Sequence, residues 1–178
     1  MKFLTTLILF YLLLANAIFG QDHDSIQKIN SSRNTIYLEL FGNASLYTIN
    51  YDRILFDFKK TKTTGRIGLC YMPKSSKFSA FTDKSIVLPL EINQLFGRKN
   101  DFFELGLSTT FFFVQHEYTS IMLFPKIGFR HQKRNGGFFH KVSYAPLISI
   151  FENPSQDYGI FFPPMIGISI GYTFRTRH

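Results

Sequence analysis

Histidines, serines and acids are the side chains of this sequence that could carry acid–base or nucleophilic chemistry. None of the histidines lies in a recognisable nucleophile motif, and they are His23, His116, His131, His140 and His178. His140 and Ser143 are three residues apart, which on a β-strand places them on opposite faces, where they cannot act as base and nucleophile. The chain also lacks His-Glu-x-x-His and Cys-x-x-Cys pairs, a phosphate-cradling glycine loop and an Asp-rich calcium loop. We therefore predict that the protein is not an enzyme and holds no metal ion or cofactor.

The elements that position the polar side chains are predicted to be β-strands. From residue 34 onward the sequence consists of runs rich in β-branched and aromatic residues, separated by clusters of Gly, Pro, Asn, Asp and Lys. Eight runs can be counted, approximately 35–41, 45–55, 65–72, 85–95, 102–113, 121–130, 138–150 and 164–174. No segment between them has a sustained apolar stripe of period 3.6, which disfavours βαβ units. The sequence therefore predicts an all-β protein with antiparallel neighbouring strands.

Apolar and polar side chains alternate along most of these runs. In the second run, Tyr47 and Tyr51 share one face, whereas Asn50 and Asp52 share the other. Counted in this way, the polar faces collect as many acids as bases, namely Glu39, Asp52, Glu91 and Glu104 against Arg66, Lys126, Arg130 and Lys141. Periodicity alone leaves two orientations open, because the polar faces would be the exterior of a soluble barrel or sandwich and the interior of a membrane barrel.

The last run, 164–174, has the sharpest alternation. One face carries Ile166, Ile168, Ile170, Tyr172 and Phe174, and the other carries Gly167, Ser169, Gly171 and Thr173. This ending resembles the outer-membrane β-barrel proteins of Gram-negative bacteria, whose final strand ends in an alternating aromatic pattern that the insertion machinery reads. Tyr172 and Phe174 carry the resemblance and are the expected C-terminal insertion signal. The family pattern places the last aromatic residue at the terminus, whereas here residues 175–178 follow it.

The resemblance implies an eight-stranded, antiparallel, up-and-down transmembrane β-barrel. Eight is the smallest strand number of such barrels, and each strand needs about 9–11 residues to cross the bilayer. Because an isolated charge in lipid costs several kcal/mol, the eight charged residues of the polar faces are expected to point into the lumen and pair there. A barrel of this size is narrow enough for side chains to fill, so we expect a packed lumen with no open pore.

Connection lengths and charges suggest an orientation for this barrel. With both termini on the periplasmic side, the longest connections, 73–84 and 152–163, lie outside, as expected for the family. The three inside turns then contain the basic segments 59–62, 98–99 and 131–134. We hypothesise that this basic rim contacts anionic phospholipid headgroups, although solubilising turn residues would look the same.

The N-terminus reads as a secretory signal peptide. Lys2 precedes an apolar segment, 3–14, and Ala15-Asn16-Ala17 forms a small-residue cleavage pattern, with cleavage after Ala17 or Gly20. The apolar segment is shorter than the roughly 20 residues that a membrane-spanning helix needs. We therefore expect a signal peptide at 1–20, a polar periplasmic leader at 21–33 and the barrel at 34–178, located in the outer membrane.

Composition limits the partners. Aromatic residues make up 17% of the chain, which suits the aromatic girdles of outer-membrane barrels. The formal net charge is +8, but the aromatic residues alternate within apolar strands instead of interleaving with basic ones, so no nucleic-acid partner is expected. The single cysteine, Cys70, cannot form an intrachain disulfide. Outer-membrane lipids and the barrel insertion machinery are the expected partners.

The expected role is structural, or adhesive and ligand-contacting through the outside loops. Two alternatives remain open at this point. One is an outer-membrane enzyme that modifies lipids, and the other is a soluble secreted β-barrel that binds an apolar ligand.

Overall fold

The computed structural model describes residues 33–42, 46–58, 61–73, 84–114, 120–146 and 165–174. The expected signal peptide at 1–20 and most of the leader at 21–33 lie outside these ranges. So do most of the segment 73–84 and all of the segment 152–163, which were predicted to be outside loops, and residues 175–178.

Eight strands form one closed sheet. Each strand pairs antiparallel with the next along the chain, and β1 closes the barrel by pairing with β8. The strands are β1 (Asn34–Leu40), β2 (Tyr47–Asp57), β3 (Thr61–Met72), β4 (Ser85–Arg98), β5 (Asp101–Val114), β6 (Ser120–Gln132), β7 (Gly137–Tyr144) and β8 (Ile166–Phe174). The prediction of an all-β, eight-stranded antiparallel barrel is confirmed. Within the described residues, no helix is long and apolar enough to cross a bilayer.

The up-and-down order gives the barrel two different ends. At the turn end, connections 58–60, 99–100 and 133–136 join consecutive strands, and β1 begins beside the last residue of β8. At the loop end, the connections are 41–46, 73–84, 115–119 and 145–165. Short connections therefore share one end of the barrel, and the longest share the other.

Several strand limits differ from those predicted. β3 begins at Thr61, not at residue 65, because the β-branched segment 61–64 pairs with the end of β4. As a result, Lys62 belongs to a strand and not to the turn in which it was placed. His131 and Gln132 likewise complete β6. At Leu55 a β-bulge shifts the pairing of β2 with β3 and leaves Leu55 and Phe56 both exposed on the outer surface.

The two faces of the sheet have opposite characters. Along β8, Ile168 and Ile170 are 50% and 55% exposed on the outer wall, whereas Ser169 between them is fully buried. The same alternation of exposed apolar and buried polar residues recurs around the barrel. Of the two orientations that periodicity leaves open, this chain has its polar faces inside.

Candidate functional site

The charged residues singled out from the alternation lie inside the barrel. They come from seven consecutive strands and have completely buried side chains: Glu39 on β1, Asp52 on β2, Arg66 on β3, Glu91 on β4, Glu104 on β5, Lys126 and Arg130 on β6, and Lys141 on β7. Four negative and four positive charges in one enclosed space can neutralise one another, which buried charges require.

One group of four charges fills the lumen between Glu39 and Glu91. Arg66 forms ion pairs with both carboxylates, and its Nη1 lies 2.9 Å from Glu91 Oε2. Lys126 also contacts both, with its Nζ 3.0 Å from Glu39 Oε1 and 3.1 Å from Glu91 Oε2. Each acid therefore has two cationic partners and each cation has two acidic ones. We call this group the Glu39 cluster.

The other four charges form a second group, the Asp52 cluster. Arg130 Nη2 lies 2.7 Å from Asp52 Oδ1, and Arg130 Nη1 lies 3.6 Å from Glu104 Oε2. Lys141 Nζ donates a hydrogen bond of 3.1 Å to Glu104 Oε1. The same Nζ lies 3.8 Å from Glu91 Oε1, which links the two clusters into one network.

Sheet register by itself would produce a repulsive contact in this network. Arg130 and Lys141 are directly opposite each other on β6 and β7, where like charges are destabilising. Carboxylates from two other strands resolve this conflict. Asp52 on β2 reaches Arg130 from a distant strand, and Glu104 on β5, the neighbour of β6, lies near both cations. The contact between Asp52 and Arg130 is therefore a property of the closed barrel and not of a single hairpin.

Two aromatic rings inside the barrel contact the cations of the network, and the sequence analysis did not predict either ring. Tyr37 and Phe139 pack against each other with ring centroids 4.9 Å apart. The Arg130 guanidinium lies 5.0 Å from the Phe139 ring centroid, and the Arg66 guanidinium lies 5.5 Å from that of Tyr37. Lys141 Nζ donates to the Tyr37 hydroxyl at 3.2 Å. Their spacing was an available signal, because each ring lies two residues before a lumen charge.

The network lies between two different interior layers. Toward the turn end, Lys62 Nζ contacts Asp57 Oδ2 at 2.6 Å, and Thr35 Oγ1 lies 3.0 Å from Thr173 Oγ1. Toward the loop end, buried apolar side chains pack together, namely Cys70, Met72, Val87 and Phe112. The charges are thus separated from the loop end by an apolar layer.

The structure places the residues considered for catalysis apart. His140 is exposed on the outer wall, whereas Ser143 is buried and its Oγ lies 3.4 Å from Glu39 Oε1. His131 Nδ1 lies 2.6 Å from Asp101 Oδ1, and the His131 ring stacks on that of His140. Among the described residues, no group of three or more His, Cys, Asp or Glu side chains is arranged to hold a metal ion.

The outer wall carries the aromatic residues of the last strand. Tyr172 is 61% exposed and pairs with Ile36 and Phe138 on the neighbouring strands. Phe174 pairs with Asn34 at the turn end and is partly exposed. Both residues therefore lie where the barrel closes, at the seam between β1 and β8.

Comparison with known proteins gives no relative for this chain: no family model matches it, and no curated protein or solved structure does. Its function must be argued from its own geometry.

Proposed function

We propose that this chain is a small integral outer-membrane β-barrel whose lumen is filled by paired charges, with a structural role or an adhesive, ligand-contacting role through its loop end. The observation that carries the proposal is the apolar outer wall, which surrounds a charged interior. Soluble proteins bury their apolar faces and expose their charges, which is the opposite arrangement. A wall with this composition is stable when hydrocarbon surrounds it.

The height of the apolar wall fits a bilayer. On β5, the outward-facing Phe103 and Phe113 bracket Leu105, Leu107 and Thr109 without a charged residue between them. Ten residues at about 3.3 Å each, tilted by about 40°, span roughly 25 Å, the height of the apolar band of such barrels.

Aromatic residues cluster toward both edges of this band. Phe103 and Phe129 pack edge to face at the turn end, with ring centroids 5.4 Å apart. Phe111 and Phe113 stack at the loop end, with centroids 6.5 Å apart. Aromatic rings at both edges are typical of the girdles that lie at the two membrane interfaces.

The filled interior of the barrel supports a role that does not involve conducting ions or solutes through the lumen. Large side chains such as Arg130, Lys141 and Phe124 are fully buried inside the barrel, and the charges are paired. We therefore propose that any ligand is contacted at the loop end, which includes the segments 73–84 and 152–163. The proposed partners are outer-membrane lipids and the insertion machinery, for which Tyr172 and Phe174 remain the proposed signal.

The soluble alternative requires an apolar interior to hold an apolar ligand. Here the middle of the lumen is occupied by the Glu39 and Asp52 clusters, so the interior has the wrong chemistry for that role. The lipid-modifying alternative has no specific observation in its favour among the described residues.

The test is heat-modifiable gel migration of the protein taken from washed outer-membrane fractions. Boiled and unboiled samples in detergent are compared, because closed membrane barrels commonly stay folded in detergent until heated. We expect a band that shifts on boiling and that is recovered in the membrane fraction. An unshifted band together with protein in the aqueous fraction would contradict the proposal.

A further inference from the structure

The turns β4–β5 and β6–β7 together form an open cleft of about 420 Å³ at the turn end of the barrel. Its lining contains three cationic side chains and no acid: Lys99, Asn100, Lys133, Arg134, Asn135 and Gly136. We call it the turn cleft. It is separate from the charged lumen, and nothing in the proposed structural or adhesive role uses it.

Hydrogen bonds hold the two turns in a fixed relation. The main-chain N–H of Gln132 donates to the main-chain carbonyl of Asn100 at 2.8 Å, and Arg134 Nε donates to the main-chain carbonyl of Lys99 at 3.3 Å. Within the second turn, the Gly136 amide donates to the Lys133 carbonyl at 3.2 Å. The cations are therefore displayed on a tied pair of turns and not on independent loops.

The tight turn between β4 and β5 fixes the backbone at Lys99. Arg98 pairs with Asp101, so residues 99 and 100 form a two-residue hairpin turn, and Lys99 has a φ of 60° at its first position. Two-residue hairpin turns require a positive φ there, which sets the point at which the Lys99 side chain leaves the turn.

The three cations of the cleft differ from those of the lumen in lacking acidic partners. Within the part of the chain that the structure describes, no carboxylate forms an ion pair with Lys99, Lys133 or Arg134. The nearest acid along the chain, Asp101, has its Oδ1 2.6 Å from His131 Nδ1 instead. The cleft therefore presents uncompensated positive charge.

The position of the cleft relative to the outer wall selects the kind of anion. Lys99 precedes Phe103 by four residues along the chain, and Phe103 packs against Phe129 at the turn end of the outer wall. Four residues of tilted strand correspond to about 10 Å, so the cleft lies just beyond the apolar band, at the depth of lipid headgroups. Phosphate at this depth would have Lys and Arg within reach, and the acyl chains would lie along the Phe103 and Phe129 wall.

We propose that the turn cleft binds the phosphate group of an anionic phospholipid from the leaflet at the turn end. The proposal rests on the membrane location proposed above and adds one defined lipid site to it. Lys99 and Lys133 neutralise the phosphate, and Arg134, already oriented by its bond to the Lys99 carbonyl, contacts it from the side.

The experiment is native mass spectrometry of the full barrel, refolded in a neutral detergent and titrated with phosphatidylglycerol. The test variant is K99Q/K133Q/R134Q. The matched control is R33Q/R53Q/K84Q, which removes the same charge from residues outside the cleft. Heat-modifiable migration of each variant establishes beforehand that it folds, and single substitutions replace any triple variant that does not.

We expect the wild type and the control variant to retain one phosphatidylglycerol molecule. Each cation near an anionic surface changes binding by about fivefold, so the cleft variant, which lacks three cations, should bind on the order of 100-fold more weakly. Equal weakening in the cleft and control variants would overturn the proposal in favour of a general charge effect. Inorganic phosphate that competes as strongly as the lipid would overturn it in favour of a free-anion site.

Flotation with phosphatidylcholine vesicles separates this inference from the membrane proposal. Wild-type protein that does not float would contradict the membrane location itself. Wild type and cleft variant that both float, with unchanged phosphatidylglycerol retention in the variant, would overturn the turn cleft alone.

Discussion

The inner and outer walls of this barrel are made by the same eight strands, yet they differ in how they tolerate change. On the inner wall, each charge of the Glu39 cluster has at least two partners of opposite sign, so losing one charge weakens the pairing of the others. On the outer wall, side chains such as Ile92, 53% exposed, form no comparable network. The comparison teaches that specific pairing lies inside this fold, whereas most side chains of the outer wall share only an apolar character.

The largest effect is expected from removing an inner charge. Glu39→Leu leaves Arg66 and Lys126 buried with one partner fewer, and breaking a buried pair in this way costs about 3–5 kcal/mol. The free energy of unfolding, measured by urea titration in detergent micelles, should fall by that amount. Leu38→Ala, the outward neighbour on the same strand, is the control and should cost much less.

A second substitution sharpens this result. Adding Lys126→Met to Glu39→Leu removes an ammonium that has lost one of its two carboxylate partners. The double variant should therefore lose about 1–3 kcal/mol less stability than the two single losses added together. Strict additivity would mean that Glu39 and Lys126 are not coupled through the contact between them.

The outer wall should respond to charge according to depth. Ile92 pairs with Leu107 near the middle of the apolar band, whereas Ile86 pairs with Phe113 at its loop-end edge. Under the proposed membrane location, Ile92→Lys costs about 2–4 kcal/mol in a bilayer and Ile86→Lys about 0–1. Unfolding in phospholipid vesicles measures both, and equal costs would indicate that no hydrocarbon surrounds this wall.

Glycines on the two walls provide a smaller contrast. A Cβ on the inward-facing Gly171 would lie 2.6 Å from Tyr37 Cα, so the backbone must move, whereas a Cβ on the outward-facing Gly65 would meet only the flexible Leu55 side chain at 3.1 Å. Gly171→Ala should destabilise the barrel by about 1–3 kcal/mol, as overpacking does. Gly65→Ala should change stability by less than about 0.5 kcal/mol. Urea midpoints of the two variants test this difference, and similar midpoints would contradict it.

The smallest expected effect concerns two tyrosine hydroxyls. Tyr37 accepts a hydrogen bond from buried Lys141, whereas Tyr51 on the outer wall donates to Asn34 at 2.7 Å. Tyr37→Phe removes one partner of buried Lys141, which keeps Glu104, and should cost about 1–1.5 kcal/mol, whereas Tyr51→Phe should cost about 0.5. The ranking of their unfolding midpoints is the measurement, and a reversed ranking would show that the inner hydroxyl contributes no net stability.

Much of the fold could be predicted because its signal is local. Strand parity alone assigned Glu39, Asp52 and Arg66 to one face, and these side chains do share the interior. The prediction failed at two places. The bulge at Leu55 breaks the alternation and turns two consecutive side chains outward. Lys62 was counted as a turn cation, although it lies in β3 and pairs with Asp57. Neither event leaves a distinctive local pattern.

The sequence by itself determined the strand number, the antiparallel order and the balance of charges on the polar faces. The tertiary structure decided which face lies inside, because an alternating pattern reads the same in either orientation. It also decided which charges meet: Lys126 contacts Glu39 across the lumen from a strand 87 residues away along the chain. Such pairings, like the cleft between two separate turns, depend on the closure and stagger of the barrel, which side-chain alternation does not encode.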